Sequence, residues 1–301
     1  MSAFAGAQGY ENLSSAQQRE RNPFGHGLAP RPSAAPDHLS RVLHIPSRAA
    51  SEPRLHVHDV SAEYRHSIRH SPLGGGELIG DALMGSQLFF TRLSTMPEPT
   101  GDADDPKTLY SIDLGGDETN PTLDLRRIQA EQNSARVTIS LPHATDHVKL
   151  SLDKELDMTA SFPLADAASG AGSVPHSFFT LASPDGTKKW QWQVNPPVSG
   201  PLRYTLVEAD DGDDEFSSRP DKVKAIYHHI GKGAPLSMRT GHGLLLLPAS
   251  DADARSTTEE LVVLASLLGL LWRVREMQVS KVVDGVPCKE NKSFLSRLLS
   301  K

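Results

Sequence analysis

Thirteen histidines and a handful of strand-borne lysines are the residues of this 301-residue chain whose types could do chemistry. His56 and His58 would share one side of a strand, His66 and His70 one side of a helical turn, and His228-His229 would end a strand. Paired imidazoles suit a transition metal, but the spacing His-Glu-x-x-His is absent and four of the six lie in a polar stretch. Solvated histidines and no metal site are the expectation. Lys188, Lys189, Arg203, Arg219, Lys222 and Lys224 belong to three neighbouring strands or their ends. Gathered on one face, they would meet an anion or a lipid headgroup. Spread outward, they would be ordinary strand cations.

Acidic clusters are the counterpart. Glu208-Ala209-Asp210-Asp211-Gly212-Asp213-Asp214-Glu215 concentrates carboxylates that a calcium ion would accept, yet the stagger Asp-x-Asp-x-Asp-Gly with a distal glutamate is not met. A solvated hairpin loop is expected here, and likewise at Asp102, Asp104 and Asp105. Both runs would repel an acidic headgroup locally. Cys288, the single cysteine, excludes an intramolecular disulfide, a four-cysteine zinc site and a Cys-x-x-Cys redox pair, and fits a reducing, cytoplasmic compartment. Gly74-Gly75-Gly76 is followed by Ile79 where a dinucleotide fingerprint needs its third glycine, so it reads as a junction. Gly-x-Ser-x-Gly and Gly-x-x-x-x-Gly-Lys-Ser/Thr are missing too. No catalytic residue and no cofactor is assigned on these grounds.

Elements must now be found to carry these groups. From about 77 to 247 the pattern has period two: Tyr110, Ile112 and Leu114, then Val137, Ile139 and Leu141, then Val148, Leu150 and Leu152 alternate with polar residues. Further strands are expected at 86–94, 122–129, 157–164, 177–182, 188–194, 202–208, 222–229 and 242–247. Ser183-Pro184-Asp185-Gly186 should turn 177–182 into 188–194, whose Trp190 and Trp192 share a face suited to a core. After Pro248 the chain changes period. Ser256-Thr257-Thr258-Glu259-Glu260 offers two overlapping capping boxes for a helix over 257–275. Leu264, Leu268, Leu271, Trp272 and their neighbours make that helix apolar on every side, so it needs walls all round. Lipid cannot supply them: Leu261 to Trp272 spans roughly 18 Å against a hydrocarbon core of about 30 Å. A closed antiparallel β-barrel of about a dozen strands around this central hydrophobic helix meets both requirements.

The flanks read differently. Residues 1–72 hold seven prolines, many Ser, Ala, Gln and Arg and little periodicity, which predicts a disordered tail with one isolated strand at 55–60. The opening residues carry no basic and apolar regions of a secretory signal. Residues 281–301 form a basic tail in which Phe294, Leu295, Leu298 and Leu299 recur at helical spacing, suited to an acidic membrane surface, to a partner's groove or to the barrel itself. The barrel domain is expected over 73–280. A net charge of −6 gives no chain-wide field to draw nucleic acid.

Phe178 to Arg275 carries a family resemblance, in Lys189-Trp190-Gln191-Trp192, Tyr204-Thr205-Leu206-Val207, Val223-Lys224-Ala225-Ile226-Tyr227, Gly243-Leu244-Leu245-Leu246-Leu247 and the Glu259-to-Leu264 helix start. This stretch resembles the tubby C-terminal-like superfamily, which includes tubby proteins, phospholipid scramblases and LURP-one-related proteins. The Asp-Gly turn followed by Lys-x-Trp is similar to its fungal members of unknown function. The resemblance implies a barrel of about a dozen strands around a central helix; it transfers no site residue, because the basic headgroup-binding motif of tubby proteins has no counterpart that aligns here. The expected function is a non-catalytic intracellular module for a partner protein or a phosphoinositide-type headgroup, cytoplasmic and able to visit the membrane periphery or nucleus. The alternative is an enzyme or small-ligand carrier with a pocket at a barrel mouth.

Overall fold

In the computed structural model the chain is described at residues 35–47, 54–69, 87–97, 99, 107–116, 120–128, 136–141, 147–152, 155–161, 178–195, 203–208, 220–230, 242–249 and 254–283. Twelve strands follow one another: β1 (Arg41–Ile45), β2 (Arg54–Asp59), β3 (Thr108–Gly116), β4 (Pro121–Arg127), β5 (Arg136–Ser140), β6 (His147–Ser151), β7 (Glu155–Ser161), β8 (Phe178–Ala182), β9 (Lys189–Asn195), β10 (Arg203–Glu208), β11 (Val223–His229) and β12 (Gly243–Leu247). Each pairs antiparallel with the next, and β1 closes the barrel on β12 with Leu43 opposite Leu245. Closure leaves no sheet edge to template another chain. Among the described residues three α-helices accompany the barrel: α1 (Ser61–Arg69), α2 (Gln87–Ser94) and α3 (Ala254–Val283).

The lumen is filled by α3. Leu261, Leu264, Leu268, Leu270, Leu271 and Trp272 join one apolar cluster with inward residues of the strands, among them Leu43, Ile112, Leu125, Ile139, Leu150, Met158, Trp190, Trp192 and Leu245. The helix touches walls in several directions. Trp192 Nε1 donates to Ser266 Oγ (2.9 Å), which donates to the Val263 carbonyl (2.9 Å), so the buried indole and hydroxyl are both satisfied. On another side Gly269 faces Val148 and Met158 so closely that an added Cβ would lie 2.8 Å from Val148 Cγ1. Near the start of α3, Glu260 accepts from Arg41 Nη1 (2.5 Å) and from Tyr110 Oη (2.6 Å). Burial works against the Arg41 charge, but the adjoining Glu260 carboxylate outweighs it and raises the guanidinium's pKa. The Tyr110 phenol is pushed up by burial, reinforced by Glu260.

Local chemistry explains the hairpin at 183–186. Gly186 takes φ +74°, its N–H donates to the Ser183 carbonyl (2.8 Å), and the Ser183 N–H donates to the Lys188 carbonyl (2.8 Å). Asp185 Oδ1 accepts from Ser183 Oγ, the Thr187 N–H and Thr187 Oγ1 at 2.6, 3.1 and 2.8 Å. Proline, aspartate and glycine each do what that turn demands.

Outside the barrel, α1 and α2 bury a second apolar cluster. Phe89, Leu93 and Met96 cover Val42, Val207, Val223, Ile226, Leu244 and Leu246 together with Leu39, Val60 and Ile230. The wall is therefore two-faced. Over β3 to β7 the side chains that alternate with the lumen set include Asp113, Asp124, Arg126, Arg136, Lys149 and Asp157. A lipid-facing barrel wall would carry an apolar band there. Among the described residues no helix is long and apolar enough to cross a membrane.

Several expectations are corrected. Residues 41–45 and 54–59 are barrel strands and 61–69 a helix, so 1–72 is not a tail throughout and the barrel begins well before 73; residues 1–34 lie outside the described residues. Val42-Leu43-His44-Ile45 escaped notice because both faces of β1 are buried, which erases the alternation. The segment 86–94 is helical: Phe89, Leu93 and Met96, at i, i+4 and i+7, are buried while Leu88 is exposed. Helix α3 runs from 254 to 283 rather than 257–275. Its expected capping residues fall inside it, and Thr257 Oγ1 instead accepts from Arg127 Nη1 (3.2 Å). Residues 284–301, with Cys288, lie outside the described residues, as do Gly74 to Gly76 and Asp102, Asp104 and Asp105.

Candidate functional site

Antiparallel alternation puts the starts of odd-numbered strands and the ends of even-numbered strands at one rim of the barrel. Glu208 ends β10, Lys188 precedes β9, and Lys222 and Lys224 flank the start of β11, so all four reach that rim. A short 3-10 turn, Pro220–Lys222, delivers Lys222, and a register shift between Leu206 and Val207 re-aims the end of β10. Lys188 Nζ lies 2.5 Å from Glu208 Oε1, Lys224 Nζ 3.0 Å from Oε2, and Lys222 Nζ 3.6 Å from Oε1. Three ammonium groups thus share one carboxylate. Taken by themselves, these four side chains are three cations around one buried carboxylate.

The electrostatics follow from that count. Burial opposes ionisation of Glu208, but hydrogen bonds and charge from Lys188 and Lys224 outweigh it and hold the carboxyl below its usual range. The side chains of Lys188, Lys224 and Lys222 are 42%, 29% and 16% exposed, while Glu208 between them is buried. An ammonium has three protons to give, so the one bond that Lys188 gives to Glu208 leaves donors for a second anion. Such an arrangement can bind a phosphate or sulfate dianion.

Of the six cations named from sequence, the structure brings these three together. Lys189 is exposed at the start of β9, one residue along from Lys188. Arg203 sits at the far end of β10, about 17 Å away at strand rise, and is only 1% exposed. It cannot meet a ligand arriving from water. Arg219 lies outside the described residues. Glu208 itself was misread as the first residue of a solvated loop; its place in the strand alternation after Tyr204 and Leu206 was the available signal. Residues 209–219 lie outside the described residues.

The histidines are also placed differently. His58, His228 and His229 are buried, as is His44, while His56 is half-buried and His66 exposed; His70 lies outside the described residues. Burial holds the His229 imidazole's pKa down to about 4, with His242 adding to the effect. Among the described residues no group of three or more His, Cys, Asp or Glu side chains is arranged to hold a metal ion. Trp190, Trp192, Leu264, Leu268, Leu271 and Trp272 are buried in the lumen cluster. No family model, curated protein or solved structure matches this chain.

Proposed function

We propose that the chain is a non-catalytic binding module of the tubby C-terminal-like kind that recognises a phosphorylated, anionic lipid headgroup at the lysine rim. The single observation that carries this reading is the convergence of Lys188, Lys222 and Lys224 on the buried Glu208. The occupied lumen supports it, since a barrel packed with Leu264, Leu268 and Leu271 leaves recognition to its outside. The twelve-stranded closure around α3 supports the family reading. A cytoplasmic protein that docks peripherally on the membrane is the setting this implies, and the single cysteine fits it.

Vesicle co-sedimentation of the full chain tests the proposal, using phosphatidylcholine with and without a few per cent of a phosphoinositide. Binding should require the phosphoinositide and weaken with salt. Lys188→Glu with Lys224→Glu should abolish it, since each surface lysine contributes about 1 kcal/mol, or roughly fivefold, near an acidic membrane. Equal binding by the charge-reversed protein, or none by the wild type, overturns the reading.

A further inference from the structure

Across β2, β1, β12, β11 and β10 runs a row of register partners: His58 opposite His44, His44 opposite Leu244, Leu244 opposite His228, and His228 opposite Arg203. Leu43 and Ile45 point to the lumen, so alternation sets His44 on the outer side with Val42, and Leu244 belongs to the outer cluster. The whole row is 6% exposed or less. The helical layer reaches this row at His228. Phe89 of α2 meets the His228 ring at 5.2 Å between centroids, and the His242 ring, just before β12, lies 5.6 Å from that of His44.

The titratable and charged groups around this row are for the most part arginines and histidines. Helix α2 contributes Arg92, fully buried and donating to the Ile68 carbonyl of α1; β10 contributes Arg203. From β11 come His228 and His229, and from the start of β12 His242. Strand β2 adds His56 beside His58, and Asp59, which is held by Arg41 of β1 and by Ser61. Helix α1 turns Tyr64, Ser67 and Ile68 inward; its Arg65, His66 and Arg69 are exposed and Glu63 pairs with Lys107. Among the described residues, neither ring nitrogen of His44 or of His58 has a hydrogen-bond partner. The buried His44 ring therefore favours its neutral form. Burial holds the His44 pKa down to about 3, with His242 and His58 adding to it.

We propose that the histidine row is an acid-sensitive fastening for the outer helical layer: when its imidazoles take up protons, α1 and α2 leave the wall while the helix-filled barrel stays closed. The two apolar clusters share no residue, so one can open without the other. Opening bares Val42, Val207, Ile226, Leu244 and Leu246, a contiguous apolar face. A released imidazole regains an ordinary pKa of about 6.5, so each such histidine favours the open form up to about tenfold for every pH unit below that value, until the closed-state value is reached. Above pH 6.5 the layer is fully held.

Hydrogen exchange of the full chain between pH 7 and 4.5, normalised for the intrinsic pH dependence of exchange, reads this directly, with binding of an apolar dye as a second signal. Peptides over 61–69 and 87–94 should exchange at least about tenfold faster at pH 5 than at pH 7, with dye binding rising in step, while 261–272 stays protected. His44→Leu should flatten the profile by about tenfold per pH unit, and His44→Gln, which keeps a polar side chain of similar reach, should do the same if the leucine variant fails to fold. A wild-type profile in which α3 loses protection together with the layer overturns the proposal, as does a folded His44 variant that follows the wild-type profile.

Discussion

Leu245 and Leu246 are consecutive, both fully buried, and belong to different cores. The inner core is built by alternate residues of the barrel strands on one long helix, and its polar atoms are few: Trp192 pairs with Ser266 and Tyr110 with Glu260, while Trp190 Nε1 is buried with no partner among the described residues. The outer core covers the wall around β10, β11, β12 and β1, and there the apolar residues alternate with His44, His228, Arg203 and Thr205. The comparison teaches where specificity is held. A lumen enclosed on all sides gives a polar group few partners, so its polar atoms are kept few; a layer laid on the outside lies one opening away from solvent and can keep ionisable groups.

Breaking the inner core should cost most. Glu260→Ala strips the buried carboxylate from Arg41 and Tyr110 and is expected to lower stability in denaturant titration by about 3–5 kcal/mol, because the guanidinium keeps only the more exposed Asp59 and the buried Tyr110 hydroxyl loses its acceptor. Loss of under about 1 kcal/mol would show that solvent reaches that rim. A sharper contrast comes from Leu245→Ala against Leu246→Ala, each expected to cost about 2–5 kcal/mol. Hydrogen exchange should separate them: the first loosening α3, the second α1 and α2. The smallest effect is expected at the turn shared by neither core, where Asp185→Ala removes an acceptor of three hydrogen bonds and should lower the melting midpoint by about 1 kcal/mol equivalent.

The inner core was legible because its signals are local: period two in the strands that enclose it, and a helix with no polar stripe. Ten of the eleven expected strands are strands, and closure followed from the need to wall in 261–272. The outer core was not legible, because residues buried on both faces lose their alternation. In β1 and β12 every position but one is buried, so Val42-Leu43-His44-Ile45 carries no phase. The helical period of Phe89, Leu93 and Met96 was hidden by Leu88 and Phe90, which make the segment look like a continuous apolar strand. At the candidate site the lysines were placed on the right strands, but their common carboxylate was not foreseen: Glu208 opens an acidic run whose composition speaks of solvent. Arg203 failed in the opposite sense, since a cation at a strand start reads as exposed unless the covering helices are known.

Barrel closure by β1 on β12 joins segments about 200 residues apart, and the filler α3 comes after both. During synthesis on the ribosome the strands emerge before the element that gives their inner faces something to pack on. Until α3 arrives, a ring of leucines and isoleucines has no partner and every hairpin has open sides. Folding should therefore be slow and late, with the nascent chain dependent on chaperones that shield it until translation has passed residue 283.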